Sequence, residues 1–218
     1  MKQVDRRRAA CAQVAAYCLE CRGLCHRIEF VVAAAGVERI GKSFVNLHRN
    51  FHKRKSKVLK PVALQRLPEL NLPPAPLKVR QCPDGVERVL DPLRGKWVAL
   101  TPEEWVRQHF VAHLTENLGY PAALMGNEVP LTLNGTSRRC DTVLFSSEGL
   151  RPVMIVEYKA PHVEITQRVF DQIVRYNMVL HARWLIVSNG LRHFCCEVDY
   201  ENRKVRFVAD IPAYHDIR

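Results

Sequence analysis

The sequence predicts a mixed α/β (α+β) fold, in which helices flank a mixed central sheet and extra strands follow at the C-terminal end. Two observations carry this prediction: one amphipathic helical pattern precedes three strand-like segments, and a second precedes three more. The predicted order is therefore αβββαβ with additional strands. A chain of 218 residues that is 47% hydrophobic can form a core without metal or disulfide links.

The first helix is predicted to start at a capping box. Two short extended pieces within residues 85–100 lead into it. Thr101 suits the N-cap position, Pro102 suits the first helical position, and Glu104 completes the pattern T-x-x-E. An apolar stripe then repeats every four residues, at Val106, Phe110, Leu114 and Leu118. The sequence GYP at 119–121 ends the helix.

The strands and the second helix follow from alternation and turn signals. Asn-Gly at 134–135 predicts a hairpin between the first two strands. A loop, SSEGLR, separates the second strand from the third. The predicted strands cover 127–133, 138–145, 152–159, 183–190, 193–200 and 204–210, and the second helix covers 163–181.

Positive charge is concentrated at the N-terminal end. The net charge is +11, yet residues 61–218 carry 19 Lys and Arg against 18 Asp and Glu. Residues 1–60 carry 14 against 4. We therefore expect three regions. Residues 1–60 form a basic, cysteine-containing extension that is poorly ordered or comes from a misassigned start, 61–78 form a proline-rich linker, and 79–218 form the main domain.

Two patterns in the N-terminal extension have competing interpretations. Gly36 to Ser43 matches the P-loop formula, which leaves a nucleotide-dependent function as one hypothesis. The segment is too short for a nucleotide-binding sheet, so we interpret the match as coincidence. Cys18, Cys21, Cys25 and His26 have zinc-ligand chemistry, but no second pair follows at finger spacing. We interpret these cysteines as small apolar residues on one helix face.

The cysteines and the apolar segments indicate the cellular compartment and whether the chain crosses a membrane. Adjacent Cys195 and Cys196 in a predicted strand point to opposite faces, so they are unlikely disulfide partners. This favours reduced thiols and a cytoplasmic location. No apolar run approaches the ~20 residues that a membrane helix needs, so we expect no membrane partner.

Three charged residues form the chemical core of the prediction. Strand alternation places Glu157 and Lys159 on one face of the third strand, together with Val153 and Ile155. If Phe145 lies opposite Val153 in the hairpin, Asp141 lies opposite Glu157. Two carboxylates so close repel each other unless a cation lies between them, and Mg²⁺ prefers oxygen ligands. A surface ion pair between Glu157 and Lys159 is the simpler alternative.

These residues resemble the site of the PD-(D/E)xK nucleases. Asp141 matches the single motif acid and Glu157-Tyr158-Lys159 matches E-x-K, although Cys140 stands where the motif has Pro. Gln172 and Tyr176 match a Q-x-x-x-Y spacing, and the following strand ends in Ser-Asn-Gly. With these features, the chain from about residue 70 resembles the N-terminal nuclease domain of type I restriction enzyme R subunits, in a compact stand-alone form.

The resemblance implies a restriction-endonuclease-like core and Mg²⁺-dependent cleavage of DNA, with Mn²⁺ able to substitute. Asp141, Glu157 and the Tyr158 carbonyl would hold the metal, and Lys159 would act on water. Gln172 and Tyr176 would position DNA or the lysine, with Arg138 and Arg139 as further candidates for DNA contact. Glu104 is a candidate for an additional metal ligand, although the capping box alone accounts for it.

The resemblance also implies partners: DNA, and other restriction or defence subunits, since the sequence shows no motor or specificity domain. The alternative hypothesis is a non-catalytic nucleic-acid-binding module that keeps the nuclease fold. Retention of Asp141, Glu157 and Lys159 favours the enzyme, because binding alone does not require a costly pair of acids.

Overall fold

The structure is a computed structural model that describes residues 29–30 and 67–217. Within those residues it contains ten strands and two α-helices. The strands are β1 (Glu29–Phe30), β2 (Val79–Gln81), β3 (Glu87–Asp91), β4 (Lys96–Ala99), β5 (Met125–Leu133), β6 (Thr136–Phe145), β7 (Pro152–Tyr158), β8 (Trp184–Ser188), β9 (His193–Asp199) and β10 (Lys204–Val208). The helices are α1 (Pro102–Ala112) and α2 (Gln167–Leu180).

A mixed sheet forms the centre of the fold, in the order β1-β10-β9-β8-β7-β6-β5. The hairpins β5–β6 and β6–β7 are antiparallel, whereas β7 and β8 run parallel because α2 crosses over between them. The mixed α/β class and the predicted order of elements are confirmed. The two residues of β1, which lie in the predicted extension, pair parallel with β10.

Helix α1 starts where the capping pattern predicts. The Thr101 hydroxyl accepts the backbone N–H of Glu104 at 3.1 Å. The reciprocal half of the predicted capping box is wrong, because the Glu104 carboxylate bonds to Arg94, Arg107 and Gln108 instead. The apolar stripe is buried through Val106, Phe110 and Leu114, and one π-helical turn (His113–Asn117) follows the helix.

The two helices pack on opposite faces of the sheet. Val106 and Phe110 of α1 pack against a cluster that includes Met154 and Val156 of β7. Ile173 of α2 packs on the other face, with Ile155 of β7 among its cluster. Alternation along β7 therefore supplies both layers of the core. Cys195 and Cys196 also divide between the two clusters, and both are free thiols, as the sequence predicts.

The hairpin between β5 and β6 turns at Asn134 and Gly135, whose φ angles are 50° and 72°. Positive φ at both positions is the type I′ signature of Asn-Gly, so this predicted turn is confirmed.

A second sheet, in the order β2-β3-β4, contains the extended pieces that precede α1. Its hairpin turn carries Arg94, which bonds to the buried Asp91 and to Glu104 of α1. Asn127 of β5 also donates to Asp91, at 2.9 Å. The small sheet is therefore tied to the main domain beside α1.

The described part of the predicted linker lies against the domain. Leu70 and Leu72 pack on the α1 face of the core, and the N–H of Asn71 donates to the Gly190 carbonyl at 2.7 Å. Gly190 has φ +79°, and a Cβ there would lie 2.7 Å from Cδ2 of Leu70. The turn after β8 therefore needs glycine for both its conformation and the close approach of Leu70.

Several predictions fall outside the described residues. The P-loop-like segment from Gly36 to Ser43 and the group Cys18, Cys21, Cys25 and His26 both lie there. Among the residues that the structure describes, no helix combines the length and apolar character needed to cross a bilayer.

Candidate functional site

Asp141 and Glu157 meet across the antiparallel strands β6 and β7. The ladder of β6 and β7 ends with Thr142 paired to Val156, so Asp141 and Glu157 are the next residues along the two strands. They lie close enough that the charge of Asp141 adds to burial in raising the pKa of Glu157. The backbone N–H of Tyr158 donates to Oδ2 of Asp141 at 2.8 Å. The structure therefore brings together the two acids that the sequence places on neighbouring strands.

The assumption behind the predicted register is wrong at its starting point. Phe145 pairs with Pro152 rather than Val153, because the ladder shifts between Leu144 and Phe145. Val153 also packs with the α1 cluster, not on the face of Ile155 as predicted. The irregularity lies next to the loop, and the predicted register holds from Leu144 with Met154 to Thr142 with Val156.

Lys159 and Gln172 converge on one oxygen of Glu157. Nζ of Lys159 and Nε2 of Gln172 each lie 2.6 Å from Oε1 of Glu157. Oε1 of Gln172 accepts from Lys159 at 3.4 Å, and Nε2 of Gln172 donates to the Tyr176 hydroxyl at 3.2 Å. The Q-x-x-x-Y spacing on α2 thus places both side chains one turn apart at the end of β7.

The other oxygen of Glu157, Oε2, is buried and has no hydrogen-bond partner among the described residues. A buried carboxylate oxygen without a partner is costly, and a cation would remove that cost. Burial, and then the charge of Asp141, raises the pKa of Glu157 to about 8. Burial also raises the pKa of Asp141, against the opposing charge of Arg107. The neighbouring cations Arg107 and Lys159 therefore do not offset the effect of burial on the two acids.

Lys159 remains the cation of this group. Burial opposes its charge, but the carboxylates of Glu157 and Asp141 outweigh burial and raise its pKa. An ammonium group next to two acids can orient water or stabilise negative charge on a substrate.

Arg107 of α1 is the site residue that sequence analysis missed. Its side chain is 5% exposed, and Nη2 lies 3.0 Å from Oδ1 of Asp141 and 2.9 Å from Oε1 of Glu128. Nη1 pairs with Glu104. In the sequence, Glu104 and Arg107 resemble an ordinary surface ion pair within a helix, so only tertiary packing reveals this role.

The acid of α1 that stays partly exposed near Asp141 is Glu103, the neighbour of Glu104. Glu104 is buried and bonded to Arg94, Arg107 and Gln108, which does not favour the predicted role as a metal ligand. Glu103 is 43% exposed, and burial followed by the charge of Asp141 raises its pKa. The signal for Glu103 was present in the sequence, as the acid adjacent to Glu104.

Arg138 and Arg139 lie on β6, three and two positions before Asp141, and both are exposed. Arg139 is 72% exposed and lies 3.7 Å from Glu128. Their guanidinium groups are open to solvent at the strand that carries Asp141.

The metal-binding capacity rests on a small donor set. In the described residues no cluster of three His, Cys, Asp or Glu side chains is arranged to hold a metal ion. The groups that could hold one are the carboxylates of Asp141 and Glu157 with the Tyr158 carbonyl. This set suits Mg²⁺, which takes one or two carboxylates and completes its shell with water and phosphate oxygens.

Comparison with solved structures finds a fragment from Vibrio vulnificus YJ016, provisionally described as an HsdR subunit of a type I restriction enzyme. The two chains are 18% identical with a TM-score of 0.42, and the match covers 54% of this chain and 24% of the other. The chain thus spans about a quarter of the length of that fragment. A comparison with curated proteins finds no match.

The family model described as the type I restriction enzyme R protein N terminus (HSDR_N) matches residues 102–212. The matched range begins with α1 and includes Arg107, Asp141, Glu157, Lys159 and Gln172. Because the match covers half of the chain, the protein belongs to the family of type I restriction enzyme R protein N-terminal domains.

Proposed function

We propose that the protein is a metal-dependent nuclease of the PD-(D/E)xK type that hydrolyses phosphodiester bonds of DNA. One observation carries the proposal: Asp141 and Glu157 lie close together at the ends of adjacent strands, and Oε2 of Glu157 is buried there with no hydrogen-bond partner among the described residues. An apolar pair would suit a purely structural sheet end better, because buried acids are costly.

Asp141, Glu157 and the backbone carbonyl of Tyr158 would hold Mg²⁺ or Mn²⁺. The chemistry that such an ion supplies when bound is activation of water and neutralisation of charge on phosphate oxygens. The protein contributes the fixed carboxylates: Tyr158 N–H orients Asp141, and Gln172 with Lys159 orients Glu157.

Lys159 is the proposed catalytic cation. Its Nζ is held at the edge of the acid pair, 2.6 Å from Oε1 of Glu157. From there the ammonium group can orient an attacking water and stabilise the charge that develops on the phosphate. Gln172 bonds to both residues of the E-x-K motif, and Tyr176 bonds to Gln172. We assign these two residues to positioning of the lysine.

DNA is the proposed substrate, with Arg138 and Arg139 as phosphate contacts. The family relates to a subunit of restriction enzymes, which supports DNA as substrate and other restriction or defence subunits as partners. Both arginines are exposed, so phosphate contact requires no rearrangement of buried groups. A cytoplasmic location is proposed with this role.

The alternative is a binding module without catalysis. Two observations favour it: Oδ1 of Asp141 is already paired with Arg107, and the described residues contain no cluster of three metal-binding side chains. A module of this kind would bind DNA with no dependence on metal ions.

Cleavage assays separate the two functions. Plasmid DNA, linear DNA and RNA are incubated with the protein in Mg²⁺ or Mn²⁺, and the rates are compared for D141N, E157Q and K159M. We expect each substitution to reduce the DNA cleavage rate by at least about 10²-fold. The exposed Glu201→Gln is the matched control for a lost carboxylate and keeps the full rate. Equal rates in all four variants, or no cleavage by the wild type, would refute the nuclease.

A further inference from the structure

We propose that Arg107 is the positioning residue for the Asp141 carboxylate, and that Glu128 holds Arg107 in the orientation this requires. The inference rests on the proposed function, because Asp141 is one of the acids assigned to the metal. Neither Arg107 nor Glu128 belongs to the D…E-x-K or Q-x-x-x-Y patterns.

Arg107 is a buried cation among acids from three elements. Its guanidinium pairs with Glu104 on α1, with Glu128 on β5 at 2.9 Å, and with Asp141 on β6 at 3.0 Å. A guanidinium is a rigid planar fork with five donors, so it holds several carboxylates at set angles. The ammonium group of lysine is compact and sits on a flexible stem, so it cannot hold several carboxylates at set angles.

The helix side of this group is anchored independently of Asp141. Oε1 of Glu104 accepts from Nε2 of Gln108 at 2.7 Å and from Nη2 of Arg94 at 3.2 Å. Glu104 is therefore held by the small sheet and by α1, and it holds Arg107 in turn. The position of the guanidinium is set by these contacts, and Asp141 is oriented to match it.

Asp141 is restrained at both oxygens. Oδ1 pairs with Arg107, and Oδ2 accepts the N–H of Tyr158 at 2.8 Å. The plane of the carboxylate is thereby fixed relative to β7, the strand that carries Glu157. A metal ligand that is already fixed loses little conformational freedom when the ion binds. Residues that hydrogen-bond to a metal ligand raise metal affinity in this way.

Glu128 has a strained backbone next to this contact. Its φ is 56° inside β5, and its neighbours Asn127 and Val129 pair with Thr142 and Cys140 of β6. Glu128 therefore lies beside Asp141. A left-handed conformation is unfavourable for a residue other than glycine, and it persists where surrounding contacts enforce it. The ion pair with Arg107 is such a contact, so the strain indicates that the position of this carboxylate matters.

A simpler role for Arg107 is neutralisation of buried acids. Neutralisation needs only a positive charge, which lysine supplies, whereas positioning needs the planar fork. Arg107→Lys therefore separates the two roles. Arg183→Lys is the matched control, since Arg183 also pairs with a carboxylate, Glu197, but lies just before β8 and is 57% exposed.

The test is Mn²⁺ binding to the full chain by isothermal titration calorimetry, together with melting temperature and DNA cleavage. We expect R107K to weaken Mn²⁺ binding by about tenfold or more, as the loss of a residue that orients a metal ligand does. We also expect it to lower kcat with little change in KM for DNA. E128Q should weaken binding by a smaller factor. The double variant should lose less than the product of the two single losses, because both act through Asp141. R183K should bind as the wild type does.

Two results would overturn this inference and leave the proposed function standing. In the first, the wild type binds Mn²⁺ and R107K binds it equally or more tightly. In the second, R107K binds Mn²⁺ more weakly but R183K shows the same loss of affinity. If R107K does not fold, E128Q carries the test, and unchanged Mn²⁺ affinity in E128Q overturns it. Wild-type protein that binds no Mn²⁺ and cuts no DNA overturns the proposed function, and the inference with it.

Discussion

The backbone N–H of Tyr158 donates to Oδ2 of Asp141 at 2.8 Å, so the strand that carries Glu157 also orients the opposing acid. This bond joins the two acids through the backbone of β7 rather than through flexible side chains. Its geometry depends on the register of β6 and β7, in which Thr142 pairs with Val156. A shift of one residue would turn Asp141 to the other face of the sheet.

Metal ions should stabilise the fold through Asp141 and Glu157. A ligand present at about 100 times its Kd adds about 2.7 kcal/mol to the free energy of unfolding. We therefore expect Mg²⁺ or Mn²⁺ to raise the melting temperature of the wild type by several degrees, and to have no such effect on D141N or E157Q. Differential scanning calorimetry with and without the ion measures this, with the exposed Glu201→Gln as control. An equal shift in E157Q would place the ion elsewhere.

Gln172 should matter more than Tyr176. Gln172 bonds to Glu157, Lys159 and the Tyr176 hydroxyl, whereas the Tyr176 hydroxyl lies at the end of that chain of bonds. We expect Q172M to lower the DNA cleavage rate by about 10²-fold and Y176F by less than about tenfold, within the range of outer-residue effects. Rate measurements at saturating metal test the order. A larger loss in Y176F would mean that Tyr176 contacts the substrate itself.

His193 should make the fold sensitive to acid. Its Nε2 donates to the Asn71 carbonyl at 3.0 Å, and Nδ1 accepts from the Ser188 hydroxyl at 2.8 Å. Burial lowers the pKa of His193 to about 4, from 6.5 in an unfolded chain. The unfolded state therefore binds a proton first as the pH falls, and the free energy of unfolding decreases between pH 6.5 and 4 by about 3 kcal/mol from this group.

Comparison with His193→Gln isolates this contribution, because the carboxylates titrate in both proteins. At pH 7.5 the variant should be the less stable protein, since it loses two buried hydrogen bonds. Its disadvantage should shrink as the pH approaches 4, where the wild type carries the cost of the buried histidine. Urea unfolding at several pH values measures the difference. Parallel stability curves would exclude His193 as the cause.

Gly190→Ala should destabilise the contact of residues 67–72 with the domain. A Cβ at Gly190 would lie 2.7 Å from Leu70, and φ of +79° is unfavourable for alanine. We expect a loss of about 1–3 kcal/mol in the free energy of unfolding, measured by urea titration. Combining Gly190→Ala with Leu70→Ala removes the clash between the new Cβ and Leu70, but not the backbone strain of a positive φ at residue 190. The double variant should therefore lose less than the sum of the two single losses, and strict additivity would show that the two positions do not interact.

Local patterns in the sequence account for most of the elements. The Thr101 cap, the Asn-Gly turn at 134–135 and the alternation of β7 from Met154 to Val156 each depend on residues close in the chain, and each is confirmed. The register shift beside Phe145 is not predicted by alternation, because it depends on how the loop closes where Ser146 N–H donates to the Arg151 carbonyl. Residues 67–72 belong to the predicted linker 61–78, whose five prolines indicate local geometry but do not reveal that Leu70 and Leu72 pack on the domain.

Strand alternation and hairpin register are short-range properties, so the sequence alone predicts that Glu157 and Lys159 lie at the end of one strand and that Asp141 lies on its neighbour. Tertiary packing is what brings Arg107 to both Asp141 and Glu128, and what partly buries Glu103 near Asp141 so that its pKa is raised. Those contacts connect α1, β5 and β6. They depend on how the helix rotates and packs on the sheet, which the spacing of residues along one element does not specify.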